Sequence, residues 1–132
     1  MIIGIGNDII EIKRIQRAVE RTTRFLNKLL TPLEQERVQK ANEPSYESIA
    51  GLFAAKEAVS KALGTGFVTF EMTDIEILKD EKGKPFVKLY NGARVRADEI
   101  GADGIHISIS HCQTYATAFA IIERGSVSEA CN

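Results

Sequence analysis

The sequence predicts an α+β fold in which an antiparallel sheet packs against one long helix. Three observations carry that prediction. Residues 53–63 are rich in small residues, among them Ala54, Ala55, Ala58 and Ala62, and the run closes on Gly64 as a buried helix does. Ile105, Ile107 and Ile109 alternate with His106, Ser108 and Ser110, the period of a half-buried strand. Residues 74–79 and 85–90 flank the polar, glycine-containing connection 80–84, the pattern of a hairpin.

Taken in order, residues 2–5 read as a short strand stopped by Gly6-Asn7. Residues 12–30 read as one amphipathic helix with an apolar stripe of Ile15, Val19, Thr22, Leu26, Leu29 and Leu30. Thr31-Pro32-Leu33-Glu34 is a capping box with proline at the first helical position, so a second helix starts there and fades near residues 42–44. Ser45 caps the long helix that ends at Gly64, and Gly64-Thr65-Gly66 is a flexible turn. Beyond the 74–90 hairpin, Asn91 is placed to cap a short helix over 92–100. Residues 105–110 and 115–122 are strands joined through His111-Cys112-Gln113-Thr114. Residues 1–124 form a single domain on this reading, and 125–132, which have no pattern, form a frayed, disordered tail.

The chain of 132 residues can bury a core, but a deep enclosed site would be hard to build at that size. Its net charge of −1 gives no overall bias toward nucleic acid or membrane. No apolar run approaches a membrane span, and the first residues read as a strand rather than a signal peptide. Two cysteines, Cys112 and Cys131, make no disulfide framework, which points to a reduced, cytoplasmic compartment.

Glu57 and Lys61 lie one turn apart on the same side of the small-residue helix. They read either as an ordinary i, i+4 ion pair or as groups awaiting a divalent metal and a phosphate. Asp8, directly after the first strand, is either a turn or capping aspartate or a metal carboxylate. Mg²⁺ takes one or two protein carboxylates together with phosphate oxygens. Asp8, Glu57 and a lysine one turn further on would therefore suit a pyrophosphate, the alternative being two unrelated surface acids. Ser108-Ile109-Ser110-His111 ends a strand with hydroxyls, amides and an imidazole that suit a phosphate. A Ser/His or Cys112/His111 nucleophile pair is the rival reading, disfavoured because neighbours on a strand point to opposite faces.

Charge is segregated. Over residues 13–28, Lys13, Arg14, Arg17, Arg21, Arg24 and Lys28 face only Glu20, a balance of +5 that leaves −6 on the rest of the chain. Such a stripe suits docking of an acidic partner, with a solvated helix face as the alternative. Nucleic acid is disfavoured, because Phe25 is the only aromatic interleaved with the cations.

Three blocks, in order, resemble the bacterial holo-[acyl-carrier-protein] synthases, the small 4′-phosphopantetheinyl transferases. They are Gly4-Ile5-Gly6-Asn7-Asp8-Ile9, the segment from Phe53 through Lys56-Glu57 to Lys61-Ala62, and His106-Ile107-Ser108-Ile109-Ser110-His111. The middle block is the specific one. Leu52 stands just before it where many members carry an arginine. The resemblance implies the 4′-phosphopantetheinyl transferase fold and a homotrimer with active sites between subunits. It implies an enzyme of fatty acid biosynthesis that moves 4′-phosphopantetheine from coenzyme A to a serine of acyl carrier protein. By the same resemblance Asp8 and Glu57 hold Mg²⁺, Lys61 contacts the coenzyme A phosphates, and Glu57 is a candidate base. Gly64 and Gly66 allow close backbone approach, and Ser110 and His111 bind the nucleotide end from the neighbouring subunit. Arg14, Arg21, Arg24 and Phe25 would dock the acidic carrier protein. A docking protein without an acid site, and a small serine or cysteine hydrolase using His111, are the other classes the residues leave open.

Overall fold

The computed structural model describes residues 1–125; Cys131 and the expected tail from Ser126 onward lie outside the described residues. The chain opens with strand β1 (Ile2–Glu11) and passes through helices α1 (Ile12–Arg21), α2 (Arg24–Leu29) and α3 (Pro32–Val38). A two-residue ladder, β2 (Gln39–Lys40) and β3 (Glu43–Pro44), leads into the long helix α4 (Tyr46–Leu63). The hairpin β4 (Ile75–Lys79) and β5 (Pro85–Leu89) is followed by α5 (Asn91–Ile100) and by the hairpin β6 (Gly104–His111) and β7 (Tyr115–Glu123). The main sheet has the order β1-β7-β6, all antiparallel, so the first strand docks against the last.

β1 runs for ten residues, well beyond the four expected, and Gly6-Asn7 do not stop it. The glycines serve contact. A Cβ on Gly4 would lie 2.1 Å from the Ala62 carbonyl oxygen, and one on Gly6 would lie 2.0 Å from that of Ala58. β7 adds Ala116, Ala118 and Ala120 to the same buried face. α4 therefore lies almost backbone to backbone on the sheet, and Ile49, Val59, Leu63 and Ile122, all fully buried, fill the space around that contact.

The segment expected as one helix over 12–30 breaks at Thr22-Thr23. Thr22 takes an extended backbone, and its hydroxyl accepts the Arg24 amide at 3.2 Å, a local bond that competes with helix continuation. Thr22 is accordingly exposed and leaves the apolar stripe. The second helix ends at Val38, earlier than expected. Its chain end turns through Ala41, at φ +39°, and returns so that the Ser45 amide reaches the Val38 carbonyl at 2.7 Å. Ser45 caps α4 through the Ser48 amide, and Gly64 closes it at φ +86°, as the sequence indicates. Asn91 falls inside α5 and not at its cap; its amide donates to Asp74 at 2.9 Å. Gly125, placed in the tail on sequence, donates its amide to Asp103.

The deepest polar group is Lys56, fully buried with Glu34. Lys56 Nζ reaches Glu34 Oε1 at 2.7 Å and the Met72 carbonyl at 3.0 Å. The same Oε1 accepts the Thr31 amide at 2.8 Å, which completes the capping box, and Oε2 accepts the Ile77 amide at 2.7 Å. Burial pulls the Lys56 ammonium below its usual value, and the Glu34 charge opposes that. Removing one partner of such a pair costs about 3–5 kcal/mol, because the other is left charged and dry. Among the described residues no helix is long and apolar enough to cross a membrane.

The glycine contacts give a direct stability test. Gly6→Ala should lower the unfolding free energy by about 2–3 kcal/mol, because backbone must move to admit the methyl group. Gly51→Ala meets only one side-chain methyl, that of Ile109, at 3.0 Å and no backbone, and should stay within about 1 kcal/mol of the wild type. Urea denaturation of the two variants should separate them; equal losses would mean that close approach at Gly6 is not the constraint.

Candidate functional site

The contact between β1 and α4 places Asp8 beside the last two turns of the helix. Asp8 sits mid-strand, opposite Ala118, on the helix-facing side of β1 with Gly4 and Gly6. Lys61 Nζ lies 3.3 Å from Asp8 Oδ1 and donates to the Asn7 carbonyl at 3.0 Å. Among the described residues Lys61 makes no ion pair with Glu57, so the ordinary i, i+4 bridge is not what occupies it. Half of the Lys61 side chain is exposed, so its pairing with Asp8 is worth under about 1 kcal/mol. Its ammonium is available to another anion.

Asp8 Oδ2 is buried and has no hydrogen-bond partner, which calls for an explanation in a native fold. Partial burial raises the Glu57 carboxyl above its usual value, the Asp8 charge raises it further, and Lys61 opposes both. Two carboxylates that repel each other, one with a dry free oxygen, fit a hard divalent cation. Among the described residues no third His, Cys, Asp or Glu joins them, so such a cation would keep positions for ligand oxygens and water. Gly64 and Gly66 follow directly, both in the left-handed region that glycine favours, at φ +86° and +62°.

A second feature is a cleft of about 380 Å³ bounded by the first turns of α4, α3 and the β4–β5 hairpin. Arg37, Lys40, Lys79 and His111 line it, with Glu47 the one carboxylate, above an apolar floor that includes Leu52. Arg37 donates to the Ile77 carbonyl at 2.9 Å and so is held at the cleft wall. Three cations, of which Arg37 is held in place, and an imidazole around an apolar floor suit a phosphorylated aromatic ligand. Alternation along β6 puts Ser110 on the other face of the sheet from His111, with Ser108 and His106. Cys112 accepts the Tyr115 amide in the β6–β7 turn, which leaves no Cys112/His111 pair in the observed bonds. Sequence reasoning did not single out Arg37, Lys40 or Lys79, because only tertiary contact joins them.

The acidic group and the cleft lie apart on one chain. Glu47 and Glu57 are ten residues apart on α4, about 15 Å along the axis. Ser48, which lines the cleft, and Glu57 differ by about 180° around the helix. A third feature, the stripe of Arg14, Arg17 and Arg21 on α1 with Arg24 and Lys28 on α2, is exposed. Among the described residues none of these cations has a carboxylate within 4.0 Å, while Phe25 is half-buried against the core.

The chain is similar to known proteins. Residues 4–120 match the sequence profile described as the 4′-phosphopantetheinyl transferase superfamily. The holo-[acyl-carrier-protein] synthase of Clostridium novyi is 53% identical over 124 residues, which cover 93% of this chain and 88% of that protein. The Plasmodium yoelii acyl carrier protein synthase with ADP bound superposes with a TM-score of 0.87 at 36% identity, covering 96% of this chain and 98% of the other. The Helicobacter pylori holo-[acyl-carrier-protein] synthase in complex with coenzyme A superposes with a TM-score of 0.80 at 35% identity, covering 90% and 99%.

The raised Glu57 value has a consequence for stability. The folded chain holds this proton more tightly than the unfolded one. That stabilises the fold below the usual carboxylate value and is lost as pH rises through the raised one. At pH 7.5 a charged Glu57 therefore opposes folding, and Glu57→Gln should raise the melting temperature without added metal. At pH 4 the two proteins should melt together. A Glu57→Gln variant less stable than the wild type at pH 7.5 would contradict the electrostatic picture of the site.

Proposed function

The chain belongs to the 4′-phosphopantetheinyl transferase superfamily, and on that premise we propose that its acidic site and its cationic cleft hold one molecule of coenzyme A between two copies of the chain. The reaction is transfer of the 4′-phosphopantetheine group of coenzyme A to a serine hydroxyl of apo-acyl carrier protein, which releases adenosine 3′,5′-bisphosphate and serves fatty acid synthesis. The observation that carries the site assignment is the orphaned Asp8 oxygen beside Glu57 and Lys61.

Asp8 and Glu57 would hold Mg²⁺, which when bound supplies positive charge to the pyrophosphate oxygens. Lys61 exchanges its weak contacts with Asp8 and Asn7 for a phosphate oxygen and acts there as a point charge. The Glu57 carboxylate is the candidate acceptor for the serine proton. Gly64 and Gly66 let the loop after Lys61 lie against the substrate backbone to side chain. Arg37, Lys40, Lys79 and His111 receive the phosphates at the nucleotide end, with Leu52 in the floor beneath the base. Ser110 contributes from the opposite sheet face.

The two half-sites face away from each other on α4, and the open face of the sheet carries an apolar patch beside its polar side chains. Ile5, Ile9 and Phe119 are each more than half exposed there, a patch that a second copy would cover. A homotrimer closed through this face would set the Asp8, Glu57 and Lys61 group of one copy against the cleft of the next. The stripe of Arg14, Arg21 and Arg24, with Phe25, receives the acidic carrier protein. We read residues 1–124 as one transferase domain acting in the cytoplasm, where an exposed free thiol such as Cys112 stays reduced.

Mass spectrometry of apo-acyl carrier protein incubated with coenzyme A and Mg²⁺ should show the gain of one phosphopantetheine. Asp8→Ala and Glu57→Ala should each slow that gain by about a hundredfold or more while leaving the circular dichroism spectrum unchanged; near-normal turnover in either would remove it from the ligand set. Sedimentation at micromolar concentration should give about three times the 14.6 kDa chain mass, and a stable, active monomer would sink the interfacial arrangement. Reversing Arg14, Arg21 and Arg24 to glutamate should raise KM for acyl carrier protein by about tenfold or more at low salt, with coenzyme A affinity unchanged and the effect fading as salt rises. Normal modification of carrier protein by the triple variant at low salt would leave the stripe a solvated face.

A further inference from the structure

The buried pair of Lys56 and Glu34 stands between the two half-sites. Lys56 immediately precedes Glu57 on α4. Its ammonium bonds Glu34 at 2.7 Å, and the other Glu34 oxygen holds the Ile77 amide at 2.7 Å. The carbonyl of the same residue, Ile77, is the acceptor for Arg37 Nη2 at 2.9 Å, and both Ile77 and Arg37 line the cleft. Glu34 and Arg37 are three residues apart on α3, so this helix grips one residue of β4 by both its amide and its carbonyl. Lys56 also ties the Met72 carbonyl, in the turn that leads into β4, at 3.0 Å.

A buried ion pair is weak evidence for stability, since well-packed apolar residues of similar size hold a core as well or better. What the charges add is direction, because each of these bonds works at one distance and angle only. We propose that Lys56 and Glu34 are positioning residues for substrate binding: they fix β4 and α3 relative to α4, and through Ile77 they fix where the Arg37 guanidinium stands in the nucleotide cleft. This rests on the coenzyme A reading of the cleft given above. Neither residue touches the substrate. With the pair lost, the fold can persist, but Ile77 shifts and Arg37 loses the acceptor that aims it.

Titration calorimetry with adenosine 3′,5′-bisphosphate tests this in the intact protein, because stoichiometry counts competent sites separately from affinity. The variant Glu34→Gln/Lys56→Met removes both charges and strands neither; Glu34→Gln/Lys56→Leu, which also strands neither, is the companion should the first fold poorly. Either should bind about tenfold more weakly than the wild type with unchanged stoichiometry. Adding Arg37→Gln should cost nothing further, since the pair acts through Arg37. Affinity within twofold of the wild type in a folded variant, or a loss that adds in full to that of Arg37→Gln, would overturn the positioning role and leave the transferase reading intact. A wild-type protein that does not bind the nucleotide would overturn both.

Discussion

Strand β1 can lie against α4 only because Gly4 and Gly6 present no Cβ to the helix carbonyls. That steric fact sets everything downstream. A strand held at ordinary distance would carry Asp8 away from α4. At the observed distance Asp8 and Lys61 touch, Asp8 raises the proton affinity of Glu57, and one Asp8 oxygen is left dry and unpartnered. The alanines of β7 continue the flat surface on which α4 rests. Small residues here give up apolar area in exchange for backbone proximity, and the neighbouring Ile49, Val59, Leu63 and Ile122 restore the core around them.

Two clusters of charge on one helix follow opposite rules. Lys56 and Glu34 are dry, and every bond they make has a partner inside the chain, which fixes geometry. Asp8, Glu57 and Lys61 are left under-satisfied, with one orphaned oxygen, two like charges close together and a half-exposed ammonium. A folded chain tolerates such strain where a ligand relieves it, and tension of this kind belongs at binding sites. The two clusters adjoin in the sequence, at Lys56 and Glu57.

The fold class, the long helix with both its caps, and the four strands of the two hairpins were legible in the residues, because each signal is local. Ser45, Gly64 and the Thr31 capping box act within four residues of themselves. The length of β1 was not legible, since Gly6 marks a chain stop and a close contact with the same letter. The break at Thr22 turned on a single hydroxyl bond to Arg24. The buried cation, Lys56, falls on the helical stripe of Leu52, Val59 and Leu63, so its burial follows from periodicity. The cleft was out of reach, because Arg37, Lys40, Lys79 and His111 meet only in three dimensions. Residue type and spacing single out Asp8, Glu57 and Lys61 as candidates with alternatives open, and the reason they come together is read only from the glycine contacts.

The central claim is that one active site draws its acids from one copy and its cationic cleft from another. It is tested most directly by mixing two inactive chains. One carries Glu57→Gln, and the other carries Arg37→Gln, Lys40→Gln and Lys79→Gln. If sites form between copies, co-expressed mixed trimers contain some interfaces where both wild-type halves meet, and an equal mixture should recover about a quarter of wild-type transfer activity. If each site is complete within one chain, mixed oligomers verified by native mass spectrometry will transfer no more phosphopantetheine than the two variants do alone, and the account is contradicted.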